Sequence, residues 1–198
     1  MIHKQKKNLM DHETIYTASS AEWRQWLLEN HTTKQGVWLI QYKKHADKPT
    51  ITWSEAVDEA LCFGWIDSIK KKLDEDRTVQ FFSKRKPTGT WSKINKEKVE
   101  RLTADGLMAP AGLACVKAAK QNGSWTILDT VDALLIPEDL AEAFDRHNGA
   151  KTYFDSLSKS VRKALLQWVV LAKRPETRQK RITEIAAAAG QHKKPKPF

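Results

Sequence analysis

Apolar and polar residues alternate along part of this chain with the period of a β-strand. In GVWLIQYKK, residues 36–44, one set of side chains is Val37, Leu39 and Gln41 and the opposite set is Trp38, Ile40 and Tyr42. The segment is rich in β-branched and aromatic residues, which favours a strand buried on much of both faces. Two shorter segments, residues 14–16 and 78–82, predict two further strands.

Other segments follow the helical period. The clearest is residues 53–65, where Thr52 and Glu55 have the spacing of a capping box. Seven residues of this segment fall on one face of a helix and predict that it continues as far as Trp65: Trp53, Ala56, Val57, Ala60, Leu61, Gly64 and Trp65. Similar patterns predict helices at residues 19–30, 90–105, 110–122, 137–147, 158–173 and 175–189.

The order of these elements predicts an α+β fold that is mostly helical. We expect a flexible arm at residues 1–12, an α+β domain with a small sheet and four helices at 13–125, and a helical C-terminal module at 126–190. The basic, proline-rich residues 191–198 have too little apolar content to predict order, so a disordered tail is expected there.

The chain is basic, with 34 Lys and Arg against 24 Asp and Glu and a formal net charge of +10. This balance favours anionic partners. Cys62 and Cys115 are isolated in apolar helical patterns, which is typical of reduced core thiols. No signal-peptide core and no segment of roughly 20 apolar residues is present, so the sequence predicts a cytoplasmic protein without a transmembrane segment.

Catalytic and metal motifs are not recognisable in the sequence. The six histidines are scattered without paired spacing, so no metal site is predicted. Neither a nucleophile motif nor a glycine-rich phosphate loop occurs, so we predict no catalytic residues and no cofactor. Whether the protein is an enzyme stays open at this point.

A basic cluster at residues 84–98 is the strongest candidate for binding. Its six cations face a single acidic residue, Glu97, and Trp91 lies among them; they are Lys84, Arg85, Lys86, Lys93, Lys96 and Lys98. Cations near the start of a helix favour an anion site, whereas the alternative is a solvated loop over a buried tryptophan. A second cluster, Arg174, Arg178 and Arg181, is interpreted as a solvated helix face.

The run ALCFGWIDSIKKK…TVQFFSKRKPTGTWSKINKEKVERLTADGLMAPAGL, together with FDSLSKSVRKALLQWVVLAKRPETRQKRITEIA, resembles the YdeI/OmpD-associated family, also called bacteriocin-protection proteins. The resemblance implies a bacterial protein linked to envelope stress or bacteriocin tolerance, and it supplies no reaction and no catalytic residues. The family signature recurs at Gly64, Trp65, Ile66, Asp67, Arg85, Trp91, Ser92 and Asn95. Lys84 and Gly89 depart from it, which makes the loop more basic and more flexible.

These observations suggest two roles for Asp67. One is to lock the fold by pairing with Arg85 and with N–H groups near Trp91, and the other, compatible with the first, is to line a ligand pocket with Arg85 and Asn95. Trp65 and Trp91 would form the floor of that pocket, and Ser92 and Lys93 would lie beside it.

We therefore predict a non-catalytic protein that binds an anionic small molecule or an acidic protein surface. The alternatives are an enzyme acting on a small anionic substrate at the same pocket, and a nucleic-acid-binding protein. Nucleic acid ranks last because the lysines do not form a long continuous stripe.

Overall fold

The computed structural model describes residues 12–195, so the predicted flexible arm lies outside the described residues except for His12. The described chain divides into two compact units. The first contains residues 12–89 and 94–124, and the second contains residues 90–93 and 125–195. The predicted α+β class is confirmed, since the first unit holds a small mixed sheet and the second is helical.

The sheet of the first unit has four strands, β1 (Thr14–Tyr16), β2 (Gly36–Tyr42), β3 (Trp65–Lys72) and β4 (Arg77–Lys84). Their order is β1-β2-β4-β3, with β1 parallel to β2 and the other pairs antiparallel. The predicted burial of β2 on both faces is confirmed, because five of its seven residues, including Gln41, are buried. Exposed lysines occupy the end of the edge strand β3, an arrangement that discourages edge-to-edge association.

Four α-helices complete the first unit, which contains all of α3 except its first residue: α1 (Ser20–Asn30), α2 (Trp53–Cys62), α3 (Lys93–Ala104) and α4 (Pro110–Gln121). The predicted capping box starts α2, with Thr52 and Glu55 each accepting from the other's backbone. Trp23 of α1 contacts both α2 and the sheet. Its indole N–H donates to Ala56 O at 3.0 Å and its ring lies 5.3 Å from that of Phe82.

The prediction that the second helix continues to Trp65 is wrong. Helix α2 ends at Cys62, and the chain reverses at Gly64, whose φ of +72° is readily accessible only to glycine. Trp65 then begins β3, opposite Lys84. Trp65 is fully buried, but as a residue of the sheet. Its apolar side chain therefore matches the helical spacing although α2 has already ended. Trp53, predicted on the apolar face, is instead 44% exposed.

The second unit contains five helices among its described residues: α5 (Asp129–Asp132), α6 (Glu138–Asp145), α7 (Ala150–Ser156), α8 (Lys159–Val170) and α9 (Pro175–Gly190). Helices α6, α8 and α9 were predicted with similar bounds, whereas the short helices α5 and α7 were not among the predicted helices. Buried apolar residues from all five helices form one core, which includes Phe144, Phe154, Leu165 and Ile185.

The segment that follows α9 contacts the helical unit. Lys193 N donates to Ala188 O at 2.9 Å, and the His192 ring stacks on Tyr153 with centroids 5.5 Å apart. The segment predicted as a disordered tail begins with these contacts, and its last three residues lie outside the described part of the chain.

Candidate anion-binding site

A cavity of about 450 Å³ lies in the first unit, where the turn between α2 and β3 meets the end of β4 and one face of α4. Two cations, two aromatic rings and several small apolar groups line it. The lining residues are His31, Thr32, Phe63, Gly64, Trp65, Lys84, Arg85, Pro87, Ala111, Cys115 and Ala118.

Two glycines allow the backbone to form this cavity. At Gly64 the chain turns with a positive φ, and its carbonyl accepts the backbone N–H of Arg85 at 2.9 Å. At Gly112, helix α4 crosses the end of α2 so closely that an added Cβ would lie 2.2 Å from Cys62 O. Because α4 sits this close, its small residues become one wall of the cavity.

Arg85 is the most deeply placed cation of the cavity. Only 9% of the residue is exposed, and burial lowers its pKa to about 10, well below the ordinary value for arginine. Favourable charge interactions with Cys115 and Asp67 oppose this shift but are smaller than the effect of burial. A desolvated guanidinium interacts strongly with an anion, since the surrounding dielectric is low.

Lys84 and His31 line the cavity together with Arg85. Lys84 Nζ donates to the O atom of Thr32, another lining residue, at 2.6 Å, which leaves the ammonium group further N–H donors. His31 Nδ1 lies 2.9 Å from Leu27 O. A carbonyl can only accept, so Nδ1 carries a proton and Nε2 of the neutral ring is the acceptor nitrogen.

Cys115 contributes a thiol to the same wall. Burial raises its pKa, and the opposing effect of Arg85 is smaller. The side chain is therefore a neutral thiol near pH 7, and a thiol is a poor nucleophile compared with a thiolate. The Cys115 thiol is therefore not activated as a nucleophile in this environment.

Asp67 does not have the partner that was predicted for it. Its carboxylate accepts the indole N–H of Trp53 at 2.9 Å and the amide of Gln80 at 3.4 Å. The predicted pairing with Arg85 is therefore wrong as a direct contact, because Asp67 acts on Arg85 only through charge. The reason is geometric. Residues 65–72 form a strand, so Asp67 lies opposite Phe82, three residues before Arg85.

The remaining predicted site residues are divided between the units. Trp91, Ser92 and Lys93 belong to the second unit, where Trp91 is 1% exposed and its ring lies 4.9 Å from Trp125. Ser92 and Lys93 are exposed, and Asn95 is half-buried on α3 of the first unit. Of the seven predicted ligand-binding residues, the structure brings Trp65 and Arg85 to the cavity described above.

Sequence reasoning missed most of the cavity wall. His31 and Phe63 lie far apart in sequence, and their rings meet with centroids 5.1 Å apart only in the folded unit. One signal was available: Gly112 lies one helical turn after Ala109 in a run of small residues, MAPAGLAC, which is typical of a helix that approaches another backbone closely.

Within residues 12–195, no group of three His, Cys, Asp or Glu side chains is arranged to hold a metal ion. None of the helices in that range combines the length and the apolar character needed to cross a membrane.

Two family models match the chain. One is described as a domain of unknown function (DUF8412) and matches residues 15–115. The other is described as bacteriocin-protection, YdeI or OmpD-associated, and matches residues 133–192. The predicted family resemblance is therefore confirmed over the C-terminal helices. No curated protein and no solved structure gives a significant match.

Proposed function

We propose that this chain, a member of the DUF8412 family with a bacteriocin-protection, YdeI or OmpD-associated segment, is a non-catalytic protein that binds a small anion. The binding site is the cavity of the first unit. The observation that carries the proposal is the pair of consecutive cations, Lys84 and Arg85, in a cavity whose described lining contains no carboxylate.

The electrostatics favour an anion as the occupant. The lining carries two positive charges, and one of them, Arg85, is almost fully removed from solvent. A bound carboxylate or phosphate group would be attracted by both positive charges of the lining. A cationic ligand would be repelled by them.

The arrangement of the other cations argues against nucleic acid as the main partner. Lys98 and Arg101 both bind Asp58 at 2.6 Å, so these two cations of α3 are paired with a carboxylate of α2. Binding a phosphate backbone depends on several available cations along one surface.

The cellular role follows from the family and the thiols. The two free cysteines, Cys62 and Cys115, favour a reducing compartment such as the cytoplasm. A role in bacteriocin tolerance or envelope stress rests on the description of the family alone.

The proposal is tested by titrating the full chain with sodium benzoate and observing backbone amides and indole N–H groups by NMR. Gly64, Arg85 and the Trp65 indole should shift together and saturate. Lys84→Gln should weaken the affinity about tenfold, because it removes a charge at the cavity mouth. Lys86→Gln is the matched control, since Lys86 is an exposed neighbour outside the lining.

Equal effects of the two substitutions would show that the response is non-specific, and the proposal would then be wrong. Shifts that never saturate, or that avoid the cavity residues, would also contradict it.

A further inference from the structure

The lining of the same cavity indicates the chemical character of the ligand beyond its anionic group. Lys84 and Arg85 are consecutive residues at the end of β4, so both cations enter from one segment. Most of the other side chains in the lining are apolar: Phe63, Trp65, Pro87, Ala111 and Ala118. The site is therefore cationic at one segment and apolar over much of the remainder.

We infer that the ligand is a small acid with one carboxylate and an apolar, ring-sized body, bound with the carboxylate at Lys84 and Arg85. This inference rests on the proposed function and specifies its ligand class. The Lys84 ammonium can donate to a carboxylate, and the largely buried positive charge of Arg85 attracts it. The apolar body gains free energy by leaving water for a wall of rings and methyl groups.

The volume of the cavity is sufficient for a ring-sized apolar part of the ligand. Taking roughly 30 Å³ for each water-sized group, a cavity of about 450 Å³ has room for roughly 15 such groups. A ring carrying an acid fits this space, whereas a nucleoside triphosphate carries more negative charge than two cations balance.

The apolar wall depends on small residues of α4. Ala111, Cys115 and Ala118 lie on one side of the helix and leave space that larger side chains would occupy. Ala114, on the exposed side of the same helix, lies outside the lining. The two alanines therefore offer a matched pair of positions for testing the wall without changing the cations.

The test compares four probes by NMR titration of the full chain: benzoate, acetate, benzamide and adenosine triphosphate. Benzoate supplies both parts of the predicted ligand, acetate supplies the carboxylate alone, and benzamide is the neutral counterpart with the same shape. Benzoate should bind about tenfold tighter than acetate or benzamide, since it alone combines apolar burial with charge. Adenosine triphosphate should bind no tighter than acetate.

Substitutions then separate the contribution of the apolar lining to the affinity from that of the cations. Ala118→Leu should weaken benzoate about tenfold and acetate much less, because the added side chain fills the apolar space. Ala114→Leu should change neither affinity. If acetate and benzoate bind equally and Lys84→Gln weakens both, the apolar body is refuted and the anion site stands. If no anion binds, the proposed function fails as well.

Discussion

Gly112 gives the sharpest test of how the cavity wall is built. It lies in the first turn of α4, where a Cβ would come within 2.2 Å of Cys62 O, 2.7 Å of Cys62 C and 2.8 Å of Leu61 O. All three atoms belong to the backbone at the end of α2, so none can rotate away. Gly112→Ala should therefore push α4 away from α2.

Two opposing effects determine how Gly112→Ala changes the free energy of unfolding. In a helix without neighbours, replacing glycine by alanine stabilises by about 1 kcal/mol. Here an ordinary contact of 3.4 Å in place of 2.2 Å requires a displacement of about 1.2 Å. Overpacking of this kind costs about 1–3 kcal/mol and more where backbone must move. We expect a net loss of about 2 kcal/mol in the free energy of unfolding.

The measurement is urea unfolding followed through NMR signals of α2 and α4, because two compact units need not unfold together. The control is Ala114→Gly at an exposed position of the same helix, where helix propensity alone should cost about 1 kcal/mol. If Gly112→Ala is as stable as the parent, or more stable, the close approach of α2 and α4 is wrong.

Two charged contacts lead to further predictions. Asp58→Ala should lower the free energy of unfolding by about 1 kcal/mol in chemical denaturation, because the largely buried Lys98 and the exposed Arg101 both lose their carboxylate; no change would contradict that role. Arg178 lowers the pKa of Asp139 by hydrogen bonding, so this contact stabilises the fold above the unfolded pKa of about 3.9 and is lost as pH falls through the folded value. Asp139→Asn should therefore cost about 0.5–1 kcal/mol at pH 7, a figure reduced for solvent screening, and progressively less as the pH falls below about 3.9; a pH-independent cost would refute the linkage.

Local signals predicted much of the fold. The capping box of Thr52 and Glu55 marked the start of α2, and alternation marked β2 as a strand buried on both faces. These features depend on residues close in sequence, which is why a single sequence suffices to find them. Local signals failed at Gly64. Its spacing is compatible with a longer α2, whereas in the structure the chain turns at Gly64 and β3 begins at the next residue.

The candidate site was harder to predict because it is assembled from distant segments. Trp65 and Arg85 were identified as site residues, and both line the cavity. His31 and Cys115 were not, since only tertiary packing brings α1 and α4 to the same space. Asp67 was predicted to pair with Arg85 on the assumption that Asp67 lies just after the end of a helix. In a strand it reaches Trp53 and Gln80 instead.

Locating a bound probe tests the central claim most directly. Alanine methyl groups can be labelled with ¹³C, and Ala111 and Ala118 are half-buried in the cavity wall. In the presence of benzoate, we predict intermolecular nuclear Overhauser effects from the ring protons to both methyl groups and to the Trp65 indole. Contacts found instead at exposed Ala114 or at the lysines of β3, with none to Ala111 or Ala118, would contradict the account.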